Sequence, residues 1–219
     1  MDVASAADNN GEGYEDVIVA VGVYQFGNQT GGKVFIFHGT NSGFNTTPDT
    51  EIDSVGPRFS SVSSAGDIDD DGYDDVIIGA EGYEDGDPLE GHAFVFYGSG
   101  TGIASGAAAS ADVIIQGNGN GAGIGETVAS GHLNDDEFSD IVIGSSFYSD
   151  GHSTEGVILV FYGSETGIES GVTLDADVGL QSDVDDARMA TSLAVGDVNG
   201  DGIDDIVTGA VRYNDSKGA

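Results

Sequence analysis

Cysteine and tryptophan are absent from this chain of 219 residues, and proline occurs only three times. Without cysteine there is no disulfide framework, no zinc–thiolate site and no thiol nucleophile. The compartment stays open, because a secreted chain can do without cystines. Basic residues are scarce as well: 5 Lys and Arg stand against 39 Asp and Glu, a formal charge of −34. Nearly every exposed face would repel phosphate, which argues against nucleic acid and against an anionic membrane surface as partners. Long apolar runs are missing; the longest, 17–24, is far short of a bilayer span, so direct membrane insertion is not expected. The opening MDVASAADNN has neither the basic nor the apolar region of a signal peptide. No segment sustains the 3.6-residue apolar period of a helix. What is present is 38% hydrophobic residues, enough for a core and unlike an acidic disordered tail. With them come 37 glycines, which point to many turns.

Self-comparison organises the chain. Four stretches align: DNNGEGYEDVIVAVGVY from Asp8, DIDDDGYDDVIIGAEGY from Asp67, HLNDDEFSDIVIGSSFY from His132 and DVNGDGIDDIVTGAVRY from Asp197, with starts 59, 65 and 65 residues apart. Each copy ends in a tyrosine at the same offset: Tyr24, Tyr83, Tyr148 and Tyr213. A second element, KVFIFHGTNSGF, AFVFYGSGTGI or ILVFYGSETGI, follows in the first three copies. Within a repeat, a small-residue segment such as 59–66 precedes the acidic loop and suggests an innermost strand packed where space is tight. A β-branched strand follows the loop (Asp75-Val76-Ile77-Ile78), then a Gly-rich hairpin and an aromatic-aliphatic strand (Phe94-Val95-Phe96-Tyr97). A weaker strand over 112–116 completes the unit. Phe35, Phe37, Phe94, Phe96 and Phe161 read as sheet-packing core, and the recurring tyrosines as structural.

Four short strands per repeat of about 60 residues is the arithmetic of a β-propeller blade. The fold expected is therefore all-β, a β-propeller of four-stranded antiparallel blades, about three and a half of them. The chain 1–219 is one propeller fragment, with repeats near 1–56, 57–121, 122–187 and an incomplete 188–219. The first copy keeps a stub of the inner strand at 3–7, and the fourth reaches Lys217-Gly218-Ala219 where an aromatic strand would begin. Half a blade leaves strand edges unpaired. The expectation is a piece of a longer propeller, the alternative a chain that closes by self-association at the open blade edges.

The acidic loops carry the chemistry. Their four nine-residue windows hold 4, 6, 4 and 4 carboxylates, 18 of the 39. In the second, Asp67, Asp69 and Asp71 occupy positions one, three and five, Gly72 permits a sharp turn, the Tyr73 carbonyl adds an oxygen and Asp75 closes the shell. Hard oxygen ligands in that number suit Ca²⁺ better than Mg²⁺. Position twelve is Ile78, and strands rather than helices flank the loop, so an EF-hand is excluded. The fourth loop offers Asp197, Asn199, Asp201, Ile203 (by its carbonyl) and Asp205; the first offers Asp8, Asn10, Glu12, Tyr14 (by its carbonyl) and Asp16. In the third, His132 replaces the first aspartate and Glu137 the turn glycine. That leaves Asn134, Asp136, Phe138 and Asp140 as a weaker set, since imidazole is a poor ligand for a hard cation. The competing reading is a set of plain Asx-turns on the solvated surface of a halophile, although surface acidity alone would scatter charge. Three calcium ions would bring −34 only to −28, so a salty or calcium-rich medium is the simplest account of the remaining 21 acids.

No catalytic constellation assembles. His38, His92, His132 and His152 stand in different contexts without the His-x-x-x-His spacing of a zinc site. No Gly-x-Ser-x-Gly elbow is present. Composition leaves a glycosidase-like carboxylate pair open, but the best-placed carboxylates are those assigned to metal. A non-enzyme is expected. No Arg-Gly-Asp or comparable ligand motif names a partner.

These residues resemble the FG-GAP repeat family, the blades of the integrin α-subunit propeller and its bacterial and archaeal relatives. The second half of the motif appears as Gly79-Ala80-Glu81, Gly144-Ser145-Ser146 and Gly209-Ala210-Val211. The first half is looser, with Phe59-Ser60, Ile124-Gly125 and Met189-Ala190 where Phe-Gly is expected. The resemblance implies a seven-bladed propeller in the intact protein, with calcium in loops between the first two strands of several blades. It implies an extracellular or cell-surface module for adhesion or for recognition of a protein or glycan ligand. The alternatives are an accessory propeller of a secreted hydrolase or lyase, and a structural surface protein of a halophile.

Overall fold

A computed structural model of the chain describes residues 1–84, 88–119 and 121–213. Among the described residues the regular elements are strands, apart from two three-residue 3-10 turns, Ala108–Ser110 and Thr173–Asp175. No helix among the described residues is long and apolar enough to cross a membrane. The first sheet holds β1 (Asp2–Ala7), β2 (Asp16–Phe26), β3 (Gln29–Phe37) and β4 (Thr50–Val55), in that spatial order and antiparallel throughout. The second repeats the pattern with β5 (Ser61–Gly66), β6 (Asp75–Ala80), β7 (His92–Phe96) and, beyond the short β8 (Gly106–Ala107), β9 (Val113–Gln116). The third holds β10 (Thr127–Gly131), β11 (Asp140–Ser145), β12 (Val157–Phe161) and, beyond β13 (Gly171–Val172), β14 (Val178–Gln181). The pair β15 (Met189–Gly196) and β16 (Asp205–Ala210) begins a fourth. These are β-propeller blades.

The first strands of successive sheets, β1, β5, β10 and β15, pack against one another, so the sheets fan out from a common line. Their small side chains, Ala4, Ala6, Ser63, Ala65, Ala129 and Ser130, are what permits the approach. Face-to-face burial does the rest. Ile18, Ile36 and Ile52 of the first sheet meet Val76, Ile78, Phe94 and Phe96 of the second. Ile77, Val95 and Ile115 on the opposite face meet Ile141, Ile143, Leu159 and Phe161 of the third. Ala129, Val142 and Ile158 then meet Leu193, Val195 and Ile206. Because both its faces are covered, β6 is buried at all six positions, whereas β2 alternates between buried and half-exposed residues at its start. That is the reason β6 and β11 read as continuous apolar runs and not as alternating ones.

Several expectations change. The inner strand of the first repeat is no stub: β1 has six residues, as many as β5, paired along β2. Phe94, Phe96 and Phe161 are core, but Phe35 and Phe37 are only half-buried. They lie on the face of the first sheet turned away from the second, beside Tyr24 and Phe26. There the Lys33 ammonium lies over the rings of Tyr24, Phe26 and Phe35 and pairs with Glu51 at 2.7 Å and Asp53 at 2.9 Å. A fifth short strand also joins two of the blades. β8 pairs in parallel with β4, and β13 with β9, so each outermost strand is extended by two residues from the following repeat. This covers an edge that would otherwise be open for pairing. Lys217-Gly218-Ala219 lies outside the described residues.

Candidate metal centre

Each acidic loop joins the first strand of a sheet to its second, and a strand on either side holds its ends. In the second loop, Asp67 Oδ1 accepts the Asp71 N–H at 3.1 Å and Oδ2 the Gly72 N–H at 2.9 Å, while Asp71 Oδ1 accepts the Tyr73 N–H at 3.0 Å. The chain reverses through two left-handed residues, Asp70 at φ 55° and Gly72 at φ 90°. This gathers one oxygen each from Asp67, Asp69 and Asp71 within 4.8 Å of one another. Ligand oxygens 2.3–2.6 Å from one calcium ion are at most about 5 Å apart, so the cluster fits that cation. Asp69 Oδ1 is shut off from water and has no hydrogen-bond donor among the described residues. Burial, and then the charges of Asp71 and Asp67, push the Asp69 carboxyl above its usual range. A buried carboxylate oxygen without a donor, on a residue clustered with two other carboxylates, is costly unless a cation neutralises it.

The first and fourth loops copy the backbone. Asp8 accepts the N–H groups of Glu12 at 3.1 Å and Gly13 at 2.7 Å; Asp197 accepts those of Asp201 at 3.2 Å and Gly202 at 2.9 Å. Position three is asparagine in both, and its amide oxygen accepts Glu12 N–H at 3.1 Å or Asp201 N–H at 2.9 Å. Bonds from Gly202 and Gly200 hold the exposed Asp197 carboxyl below its usual range. The third loop retains parts of the network: Asn134 Oδ1 accepts Asp136 N–H and Asp136 Oδ1 accepts Phe138 N–H, at 3.1 and 3.0 Å. His132 contributes no carboxylate.

Position nine does more than sequence reasoning foresaw. Asp75 is fully buried; its Oδ2 accepts Ile68 N–H at 3.0 Å and its Oδ1 accepts Gly98 N–H at 2.8 Å. Asp16 does the same with Asn9 and Gly39, and Asp140 with Leu133 and Gly163. The partner glycine lies 23 residues after the aspartate in all three cases. Burial drives the Asp75 carboxyl up to about 7 despite those two bonds, and Asp69 and Asp67 add to the rise. Burial also raises Asp16 and Asp140. An ionised carboxylate has about four lone-pair directions, so these bonds leave it acceptor capacity for a cation.

A further link was invisible in the sequence. Position eight of each loop ties to position one of the loop before it: Asp74 N–H donates to Asp8 O at 3.3 Å, Ser139 N–H to Asp67 O at 3.0 Å and Asp204 N–H to His132 O at 2.8 Å. Asp74 Oδ2 accepts the Asp8 N–H in return at 3.0 Å, and Asp204 Oδ2 that of His132 at 2.9 Å. Ser99 and Ser164, in the turns after β7 and β12, add N–H bonds to Asn9 O and Ile68 O. The acidic loops thus form one belt along one end of the blades. The repeating 23-residue Asp-to-Gly separation was the signal that could have shown part of it.

Fanned antiparallel sheets with an acidic loop between the first two strands of each define a propeller-repeat protein with candidate cation loops. Residues 189–219 match the family described as FG-GAP repeat. Mouse integrin alpha-IIb is 40% identical over 85 residues, 36% of this chain and 8% of that protein. Integrin alpha-6 of Homo sapiens is 34% identical over 79 residues, 36% of this chain and 6% of its own length. Integrin alpha-4 of Xenopus laevis is 36% identical over 97 residues, 42% of this chain and 9% of its own. These matches support a relationship of the chain to FG-GAP repeat proteins of the integrin α-subunit type. Its matches span less than a tenth of the length of these relatives.

Proposed function

We propose that this chain is a calcium-binding propeller module of an extracellular or cell-surface protein, serving adhesion or recognition of a protein or glycan ligand without catalysis of its own. The observation that carries the reading is the Asp67, Asp69 and Asp71 cluster, three carboxylate oxygens within 4.8 Å with Asp69 Oδ1 buried and unpartnered. Asp67, Asp69, Asp71, Asp75 and the Tyr73 carbonyl would hold the ion. The equivalent sets run from Asp8 to Asp16 and from Asp197 to Asp205. Bound calcium supplies charge neutralisation and rigidity rather than reaction chemistry. The belt of bonds between neighbouring loops would pass that rigidity from blade to blade, fixing the surface offered to a partner. Family resemblance supports the adhesion role, and a calcium-rich exterior suits the excess of carboxylates.

The test is a thermal melt at fixed high ionic strength in EDTA, excess Mg²⁺ or millimolar Ca²⁺. Extracellular modules bind calcium with dissociation constants of roughly 0.1–1 mM. At about a hundredfold excess, each occupied site adds on the order of 2.7 kcal/mol. The expected outcome is a rise in Tm with Ca²⁺ alone, reduced in Asp67→Ala. An equal rise from any salt, or none, would leave the loops as acidic turns.

A further inference from the structure

The third loop differs from the others in three connected ways. The first is backbone shape. Positions four and six are left-handed in the first loop (Gly11 and Gly13, φ 71° and 85°), the second (Asp70 and Gly72, 55° and 90°) and the fourth (Gly200 and Gly202, 81° and 93°). Their counterparts Asp135 and Glu137 are not left-handed. Side chains disfavour that region, so replacing the glycine at position six by Glu137 goes with a differently shaped turn.

The second difference is at position one. Asp8 and Asp67 each accept two loop N–H groups through their carboxylate oxygens, and Asp197 accepts three. His132 has no carboxylate to do so. Its Nδ1 lies 3.0 Å from the carbonyl oxygen of Phe138, six residues on. A carbonyl only accepts, so the proton in this bond sits on Nδ1. The Phe138 carbonyl is the position-seven oxygen that a cation would otherwise take. A carboxylate at position one has no proton to give it at neutral pH; the imidazole does.

The third difference is support from outside. The His132 backbone is held on both sides by Asp204, through its N–H to Oδ2 at 2.9 Å and its carbonyl to the Asp204 N–H at 2.8 Å. Asp140 is meanwhile engaged by Leu133 N–H at 2.8 Å and Gly163 N–H at 3.0 Å.

We propose that the third loop is a metal-independent clasp, in which the His132 Nδ1–H takes the place of a cation at the Phe138 carbonyl. The chain then carries three cation loops and one self-closed loop, and the junction between the third and fourth repeats persists without metal. The count of three rests on the calcium reading of the other loops; the clasp itself does not.

Two measurements on the full chain separate these claims. Calorimetric titration with calcium chloride should give three equivalents for the wild type and four for His132→Asp combined with Glu137→Gly. A fourth wild-type equivalent that disappears in Asp136→Ala would overturn the proposal, as would a double variant that still binds three. Long-range ¹H–¹⁵N spectra of the wild-type histidines should show His132 protonated at Nδ1, unchanged between EDTA and calcium. If no loop binds calcium, the general calcium reading fails, and the spectra alone decide the clasp. A His132 carrying its proton on Nε2 with Nδ1 bare, or an Nδ1 signal that moves with calcium, would sink it.

Discussion

Asp75 shows how one residue can stabilise a loop's geometry while opposing the charge it carries. Its two backbone bonds fix the loop to the turn after β7, yet burial lifts its carboxyl from 3.8 to about 7. In the unfolded chain the group ionises at the ordinary value, so between about 4 and 7 the folded state binds more protons than the unfolded one. Stability should therefore be fullest below the unfolded pKa and fall as pH rises through that window. Asp16 and Asp140 add to the slope in the same direction. Urea midpoints in EDTA at pH 5 and 7.5 should show the decline, and Asp75→Asn should make it shallower. Calcium, by favouring the ionised form, should flatten it. A wild-type midpoint in EDTA that rises across this range would contradict the burial of an uncompensated carboxylate.

Between strands and loops, the decisive contacts are backbone approaches that only glycine allows. A Cβ on Gly98 would meet Asp74 O at 2.5 Å, Tyr73 Cβ at 2.8 Å and Asn9 O at 3.0 Å. Gly39 and Gly163 are closed off in the same way, by the carbonyls of Glu15 and Ser139. Gly98→Ala should cost about 1–3 kcal/mol through overpacking and weaken calcium binding at the second loop, because Asp75 loses its anchor. Gly82→Ala, with open space at its Cβ and no left-handed backbone, is the control and should stay within about 0.5 kcal/mol. Chemical denaturation and calcium titration of the two variants check both halves; equal costs would mean the anchoring turn is not tightly packed. The strands themselves were legible, since β-branched runs bounded by acidic and glycine-rich loops allow little else. The two-residue β8 and β13 were not, because Gly-Ala and Gly-Val carry no period. They become strands only through the edges of β4 and β9 presented by the neighbouring blade.

Across the whole molecule, a formal charge of −34 works against any compact state. Without calcium, Tm should climb with NaCl towards about 1 M, where the Debye length is about 3 Å. A melt in EDTA that ignores salt would mean the carboxylates are already compensated. The calcium step should survive at the top of that series, since ligation acts inside the Debye length.

Composition, repeat spacing and the placement of carboxylate or amide oxygens at positions one, three, five and nine were enough to indicate an all-β repeat protein and its candidate cation loops. These are local properties: strand propensity, turn glycines and clustered charge all act within one repeat. The same pattern also marked the third loop as weaker, because a histidine and a glutamate stand where an aspartate and a glycine are needed. Tertiary structure alone decided what those two residues do. It brings the His132 ring to the Phe138 carbonyl and sets Asp204 behind it. It also turned Phe35 and Phe37 outward, because which face of a strand is buried depends on the sheet beside it. These contacts between repeats join residues 66 to 72 apart along the chain, and no local pattern encodes a distance that only folding closes.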